Sequence, residues 1–256
     1  MIERLARLGY ASKAVVYAII GTLAIAAATN QGGRVTDTSG ALRVVFSQPY
    51  GQVLLLVLGV GLCGYAVWRV LDSFSDPDRH GKAFKGLVTR IGNVVRGVIY
   101  GALGLEALRL FRGSSGSKGD ETEAWASKIM NLPLGEWLIG LVGVIVVVYG
   151  ASEVIKLFKG KDDPLVDWSR VSKSVRGVCR FGVGSRGLII ITLGVFLVRA
   201  AIQHNPSEAA GTRESLVELV GVVEGRWLLG LMAVGLLAYS LDQAVHSLYR
   251  RIRPVT

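Results

Sequence analysis

A spaced motif that occurs three times constrains this chain more than any other feature of its sequence. Each copy reads Arg-x-Gly-x3-basic-x3-aromatic or apolar-x3-Gly and begins a long apolar stretch. A repeat of this kind implies repeated structural units. The last three motif positions are spaced four apart and therefore line one face of a helix. The copies are Arg7, Gly9, Lys13, Tyr17, Gly21, then Arg90, Gly92, Arg96, Tyr100, Gly104, and finally Arg180, Gly182, Arg186, Ile190, Gly194.

The composition places the chain among membrane proteins. Of its 256 residues, 51% are hydrophobic, and the mean hydropathy is +0.45. Six stretches have the roughly 20 apolar residues that a bilayer-spanning helix needs. The sequence thus predicts an all-α protein with six transmembrane helices, the first of which we interpret as a retained span rather than a signal peptide. The stretches are residues 10–29, 51–71, 91–111, 135–156, 181–201 and 226–247.

The distribution of basic residues predicts the orientation. The N-terminus, the second and fourth connections and the C-terminus together hold 20 of the 29 lysines and arginines. The positive-inside rule then places both termini in the cytoplasm. Orientation and attraction to anionic headgroups also explain the net charge of +10 better than nucleic-acid binding does. We therefore expect membrane lipids as partners and no nucleic acid.

The second helix of each repeat also carries a shared pattern. A Gly begins each helix, and a Tyr follows fourteen residues later, at Tyr65, Tyr149 and Tyr239. Each unit is therefore a helix, an outer loop and an antiparallel helix, and the three units share one orientation. The simplest arrangement is a single pseudo-threefold bundle. Its repeats would occupy residues 1–72, 73–160 and 161–256.

Each outer loop contains a short segment with apolar residues at helical spacing. The segments cover residues 41–46, 125–130 and 216–220. We interpret them as amphipathic helices that lie on the outer membrane surface. The alternative is a re-entrant half-helix that lines a pore. The basic connection 157–180 is likewise predicted to form an interfacial helix, anchored by Trp168.

Ionisable residues meet at one depth inside the predicted membrane. The second basic motif residue lies six positions past the interfacial Arg, which is about 9 Å deeper at 1.5 Å per residue. The returning helices bring a Tyr and further charged residues to this level. We expect the two carboxylates, Glu153 and Asp242, to pair with Arg96 or Arg186, because they are too short to reach the headgroups. The members of the layer are Lys13, Arg69, Arg96, Glu153, Arg186 and Asp242.

Three interpretations of this layer are open. A salt-bridge lock between repeats would need no ligand. An anion or lipid-headgroup site would use the excess cations, which are Lys13, Arg69, Arg96 and Arg186. An ion or proton pathway would use the tyrosine face and Glu106. The alternative for Glu106 is a structural pair with Arg109 on the face of the same helix. The tyrosine face consists of Tyr17, Tyr65, Tyr100, Tyr149 and Tyr239.

The sequence contains no motif for catalysis, metal binding or a cofactor. Its three histidines lack zinc or haem spacing, and its two cysteines are isolated. Nucleotide-binding and hydrolase motifs are missing as well. We therefore predict no enzymatic activity, no metal site and no cofactor.

Further sequence elements indicate a family. They are residues 7–11 with Tyr17 and Gly21 in the first helix, then residues 48–51 leading into residues 61–66. On these elements the chain resembles the bacterial membrane-protein family called domain of unknown function 1206. The resemblance implies three tandem two-helix repeats and a bacterial inner membrane, and it implies no activity. The third repeat departs most, with Ile190 in place of Tyr.

These observations leave three functional hypotheses. The leading one is a non-enzymatic module that binds a lipid headgroup or small anion in the charged layer. The second is an ion or small-solute channel on the pseudo-threefold axis. The third is an accessory subunit that pairs with another membrane protein or with a second copy of itself.

Overall fold

The described part of the computed structural model is almost entirely helical. It covers residues 2–29, 36–75, 84–113, 127–130, 134–160, 162–204 and 225–252. The helices are α1 (Ile2–Ala28), α2 (Thr38–Phe46), α3 (Gly51–Ser75), α4 (Phe84–Phe111), α5 (Gly135–Lys159), α6 (Lys173–Ile202) and α7 (Gly225–Tyr249). A short 3-10 helix, Trp168–Arg170, precedes α6. The prediction of an all-helical chain is confirmed for these residues.

Five of the helices are long and apolar enough to cross a membrane. They are α1, α3, α5, α6 and α7, and their apolar spans run from 21 to 30 residues. The predicted third span lies within α4, which has 28 residues but is interrupted by more charge. Its charged residues are Lys85, Arg90, Arg96, Glu106 and Arg109. The helices indicate a multi-pass membrane protein.

Neighbouring helices follow the order of the repeats. The second helix of each repeat packs on the first helix of the next, so α3 contacts α4, α5 contacts α6, and α7 contacts α1. Within repeats, α1 also packs on α3, and α6 packs on α7. In the described residues, α4 and α5 do not pack on each other in this way. We use "basic end" for the end of the bundle where α1 begins and α7 ends.

The last Gly of each motif copy lets two repeats approach closely. A Cβ at Gly21 would lie 3.1 Å from the Ala233 carbonyl oxygen on α7. The same atom at Gly104 would lie 3.1 Å from the Gly59 oxygen on α3, and at Gly194 it would lie 2.9 Å from the Gly143 oxygen on α5. Small residues permit such backbone contact between membrane helices. The contact between successive repeats is therefore the same in all three places.

An apolar core fills the half of the bundle away from the basic end. Its buried residues come from every helix except α5, and they include Ile20, Leu42, Leu55, Ile189 and Leu236. Each of these five side chains is at most 4% exposed. Close packing of this kind excludes water from the centre of the bundle at this level.

The predicted helix in the first outer loop is confirmed, but its surroundings differ from the prediction. The carboxylate of Asp37 accepts a hydrogen bond from the Gly40 backbone N–H at 2.6 Å and so caps the start of α2. The apolar face of α2 is buried against α1, α3 and α4 rather than lying on the membrane surface. Residues 127–130 of the second predicted segment are helical. The third segment, 216–220, lies outside the described residues.

The prediction of an interfacial helix over residues 157–180 is wrong. Helix α5 ends at Gly160 in a left-handed conformation (φ 61°), and the chain turns back along the end of α7, where Val166 pairs with Arg250. The indole N–H of Trp168 donates to the Asp163 carbonyl oxygen at 2.9 Å. Because the ring also packs in a small apolar cluster with Val166, Trp168 anchors the loop to the protein.

Candidate functional site

In each repeat, the second basic residue of the motif lies over the ring of the tyrosine from the returning helix. The distance from the cationic group to the ring centroid is 4.7 Å in repeat one, 5.3 Å in repeat two and 5.0 Å in repeat three. These are cation–π contacts, worth about 0.5–2 kcal/mol each. Two further tyrosines of the motif adjoin them. We define the tyrosine–cation layer as Lys13, Tyr17, Tyr65, Arg96, Tyr100, Tyr149, Arg186 and Tyr239.

The tyrosines of the layer also contact one another. The hydroxyls of Tyr17 and Tyr100 are 3.2 Å apart, so one donates to the other. The Tyr17 ring meets Tyr239 edge to face at 4.8 Å, and Tyr65 meets Tyr100 in the same way at 5.1 Å. Such pairs add stability beyond the area they bury. The third repeat has Ile190 at the position of Tyr17 and Tyr100, so it contributes no third hydroxyl.

The three cations of the layer have no carboxylate partner among the described residues. Lys13 is 4% exposed, and its ammonium lies 3.5 Å from the Tyr65 hydroxyl and 4.6 Å from the Tyr100 ring centroid. Arg96 donates to neutral groups only, to Asn93 Oδ1 at 3.2 Å and to the Tyr149 hydroxyl at 2.8 Å. Arg186 contacts the Tyr239 ring and makes no hydrogen bond or ion pair within the described part.

Arg69, the fourth predicted cation, is fully bonded inside repeat one and to α4. Its guanidinium donates to the hydroxyls of Tyr65 at 2.9 Å and Tyr10 at 3.0 Å, and to Asn93 Oδ1 at 3.2 Å. It also pairs with the buried Asp72 carboxylate at 3.5 Å. Sequence reasoning missed Tyr10 and Asn93. Tyr10 adjoins the first motif Gly, whereas nothing in the sequence pattern singles out Asn93.

The two carboxylates of the predicted layer do not pair with Arg96 or Arg186, so that expectation is wrong. Glu153 accepts from the Lys156 ammonium at 2.6 Å, one turn along the same helix. Asp242 accepts from the Gln243 amide at 2.9 Å and lies 3.4 Å from His246. Both acids find partners on their own helix, and neither forms an ion pair with a cation of the layer within the described residues.

A polar chain joins α7 to the loop that follows α5. His246 Nδ1 lies 2.8 Å from the Asp242 carbonyl oxygen, and its Nε2 lies 3.3 Å from the Asp163 carboxylate. Arg250 donates to the same carboxylate at 2.6 Å. Burial alone would raise the pKa of Asp163, but the hydrogen bond from His246 and the charge of Arg250 outweigh it and hold that pKa well below its usual range.

Glu106 lies at the end of the bundle opposite the basic end. Its carboxylate accepts from the Ser39 hydroxyl at 2.6 Å and pairs with Arg43 at 3.8 Å. Both partners belong to α2. Glu106 therefore fastens the outer-loop helix to α4, far along the helix from the tyrosine–cation layer.

The first Arg of each motif copy ties its repeat to the end of the preceding second helix. Arg7 donates to two carbonyl oxygens at the end of α7, both at 2.7 Å. Arg90 does the same at the end of α3, at 2.5 and 3.1 Å. Arg180 binds Asp162, which lies just past the end of α5, at 2.7 Å. Helix ends leave carbonyl groups unsatisfied, so Arg7 and Arg90 supply missing donors, whereas Arg180 binds a side-chain carboxylate. From the sequence pattern, these arginines were expected only to mark the membrane interface.

A separate charged pocket of about 320 Å³ lies at the basic end, between the start of α1, the end of α7 and the loop that contains Asp167. Its charged lining consists of Glu3, Arg7, Asp167, Arg170, Arg250 and Arg251. The Asp167 carboxylate lies 3.5 Å from both Arg170 and Arg251, and Arg7 is bonded to carbonyl groups. The positive charge of this pocket is therefore largely compensated, unlike that of the tyrosine–cation layer.

Comparison with known proteins identifies the three repeats independently. The family model described as Domain of Unknown Function (DUF1206) matches residues 8–76, 91–159 and 181–250, and each segment contains one cation–tyrosine pair. The chain is 31% identical over 255 residues to "Uncharacterized protein YxxB" of Bacillus subtilis (strain 168), which covers 98% of this chain and 92% of that protein. No solved structure matches the chain. The chain therefore belongs to the DUF1206 family, as its motifs indicated.

Proposed function

We propose that the tyrosine–cation layer binds an anion of phosphate-like chemistry, either the headgroup of an anionic lipid or a small free anion, and that the protein does so without catalysing a reaction. The observation that carries the proposal is that Lys13, Arg96 and Arg186 lack carboxylate partners among the described residues. Uncompensated charge inside a membrane is costly, so a bound anion would stabilise this arrangement.

The chemistry of the layer suits an oxyanion. Guanidinium groups present several N–H donors in a plane and form short, charge-assisted bonds to phosphate oxygens. The ammonium of Lys13 adds a compact charge, and the hydroxyls of Tyr17 and Tyr149 add neutral donors nearby. Aromatic walls also lower the local dielectric constant, which strengthens the attraction between the cations and a bound anion.

The proposed setting is the bacterial inner membrane, with six spanning helices in a pseudo-threefold bundle and both termini in the cytoplasm. The length of α4 and the recurrence of the same contact between successive repeats support the six-helix arrangement. The excess of Lys and Arg on the side of the termini supports the orientation. The layer would then face the cytoplasmic leaflet.

Thermal unfolding in detergent tests the proposal. Wild-type protein should gain about 2.7 kcal/mol of stability when dioleoyl phosphatidylglycerol or inorganic phosphate is present at 100 times its dissociation constant. The triple variant K13Q/R96Q/R186Q should show no such gain. The matched control R4Q/K159Q/K173Q removes three exposed cations and should respond like wild type. An equal ligand response in both triple variants would overturn the proposal.

The two alternative hypotheses have less support. A channel along the axis would need a polar path, whereas the described residues opposite the basic end form a packed apolar core. A role as accessory subunit stays a prediction without a specific contact surface. Anion binding is therefore the function that the geometry supports best.

A further inference from the structure

The interface inside repeat two differs from its counterparts in repeats one and three. A Cβ at Gly9 would collide with Tyr65 on α3, and a Cβ at Gly182 would collide with the backbone of Tyr239 on α7. Gly92 occupies the same motif position on α4, yet no described atom lies within 4 Å of the place of its Cβ. Within the described residues, α4 and α5 thus stand apart where the other two pairs are in contact.

The gap between α4 and α5 reaches the tyrosine–cation layer. The two helices are bridged at that level by the Arg96–Tyr149 hydrogen bond of 2.8 Å. Arg96, Tyr149 and Arg186 are half-buried, whereas Lys13 and Tyr100 are only 4% and 5% exposed. Tyr17 on α1 is half-buried as well, but Arg96 and Tyr149 are the half-buried members that bridge the gap, so a ligand that enters there would meet Arg96 first.

Helical spacing places an exposed apolar side chain beside the Arg96–Tyr149 bridge on both helices. Ile99 follows Arg96 by about one turn on α4 and is 52% exposed. Ile145 lies one turn from Tyr149 on α5 and is 58% exposed. Towards the basic end, by contrast, the layer is closed on the side of repeat one by Tyr10 and Trp68, each 2% exposed. Access from the side favours a molecule that carries both an anionic group and an apolar chain.

We infer that the gap between α4 and α5 is a lateral opening that admits one anionic phospholipid from the surrounding bilayer. Its phosphate would bind Arg96 and Arg186, and an acyl chain would lie between α4 and α5 along Ile99 and Ile145. The occupant follows from charge complementarity, because the opening leads to uncompensated cations and is walled by apolar side chains. This inference rests on the proposed anion site and narrows its ligand to a lipid.

Native mass spectrometry of the full chain, in micelles that contain dioleoyl phosphatidylglycerol, tests the opening. In Gly92→Trp, an indole would fill the gap, and we expect phosphatidylglycerol to bind about tenfold more weakly than to wild type, a change of about 1.4 kcal/mol. Val98→Trp places the same ring on an outward-facing position of α4 that is 65% exposed. This control should bind lipid like wild type. Soluble glycerol phosphate should bind much more weakly than the lipid.

The outcomes separate this inference from the proposed function. If Gly92→Trp binds lipid like wild type while K13Q/R96Q/R186Q does not, the anion site stands and the lateral opening is overturned. If glycerol phosphate binds as tightly as the lipid, the acyl-chain contact is overturned. If K13Q/R96Q/R186Q binds lipid like wild type, the proposed function itself falls. If Gly92→Trp and the smaller Gly92→Leu both fail to fold, the space beside Gly92 is not open, and the inference is wrong.

Discussion

Repeats one and three are closed between their two helices, whereas repeat two is open. The motif Gly that lets α1 meet α3 and α6 meet α7 faces empty space on α4 within the described structure. In contrast, the last Gly of the motif makes an equivalent contact to the preceding repeat in all three copies, and the first Arg does so in repeats one and two. The difference teaches that the contacts between repeats hold the bundle together, while the contact inside a repeat can be given up.

The charged residues at the level of the layer also differ between the closed repeat one and the open repeat two. Four residues past the tyrosine that the second helices share, α3 carries Arg69, α5 carries Glu153 and α7 carries Gln243. In repeat one the resulting ion pair is buried, with side-chain exposures of 9% for Arg69 and 1% for Asp72. In repeat two the Lys156 side chain of the pair is 49% exposed. Both pairs lie within one helix, so the second helix of repeat one carries a buried ion pair and that of repeat two a solvated one.

The largest effect is expected from breaking the buried pair. Arg69→Gln removes the cation 3.5 Å from the buried Asp72 carboxylate and the hydrogen bonds that its guanidinium donates to Tyr10 and Tyr65, and it should cost about 3–5 kcal/mol of unfolding free energy. Glu153→Gln, the equivalent change in repeat two, should cost about 0.2–1 kcal/mol because its partner is exposed. Denaturant unfolding in mixed micelles measures both. Equal losses of unfolding free energy would contradict the difference in burial between the two ion pairs.

The next largest effect is expected from substitution of the first motif Gly, which should change stability in opposite directions in the closed and open repeats. Gly9→Ala and Gly182→Ala force the helices apart and should each cost about 1–3 kcal/mol. Gly92→Ala meets open space, and the higher helix propensity of Ala should stabilise the protein by about 0.5–1 kcal/mol. The sign of the change in melting temperature is the test. A loss at Gly92 as large as at Gly9 would contradict the open interface.

Acidification should loosen the contact that attaches the loop after α5 to α7. The pKa of Asp163 lies below its ordinary value of about 3.9 in the folded protein, so its contribution to stability is complete above that pH and is lost as the pH falls through the lower value. Asp163→Asn should lose about 2 kcal/mol at neutral pH and respond less to acid. Glu3→Gln, at an exposed carboxylate of the same end, should keep the acid response of wild type.

The smallest effect concerns the outer-loop helix of repeat one. Glu106→Gln weakens the bonds to Ser39 and Arg43 and should cost about 1 kcal/mol. Amide hydrogen exchange should rise in α2 and stay unchanged in α6. Unchanged exchange in α2 would show that its buried apolar face alone holds it in place.

The sequence predicted the all-helical class and the three repeats, and helical spacing placed the tyrosines and cations at one level. Helical spacing fixes which residues share a face and how deep they lie, so the sequence could place Lys13 and Tyr65 at the same depth. Spacing does not say which partner a carboxylate selects. Glu153 has Lys156 one turn away, and this local pair prevails over a contact with Arg96 across the gap.

The opening between α4 and α5 could not be predicted from the sequence. Gly92 occupies the same motif position as Gly9 and Gly182, and a Gly is compatible with both close contact and empty space. The packing of whole helices decides between the two. The binding of Arg7 and Arg90 to helix ends could not be predicted either. Their acceptors are backbone carbonyl oxygens, which every residue carries, so the sequence does not identify them.

Solid-state NMR of the protein in phosphatidylglycerol bilayers tests the central claim most directly. Dipolar coupling between ¹⁵N in the arginine side chains and ³¹P in the lipid reports guanidinium–phosphate contact. The comparison of wild type with R96K/R186K, which keeps the charges but removes two guanidinium groups, isolates the layer from surface arginines. We predict a strongly coupled ¹⁵N–³¹P population in wild type that is lost in R96K/R186K. Identical couplings in the two proteins would contradict an anion site in the tyrosine–cation layer.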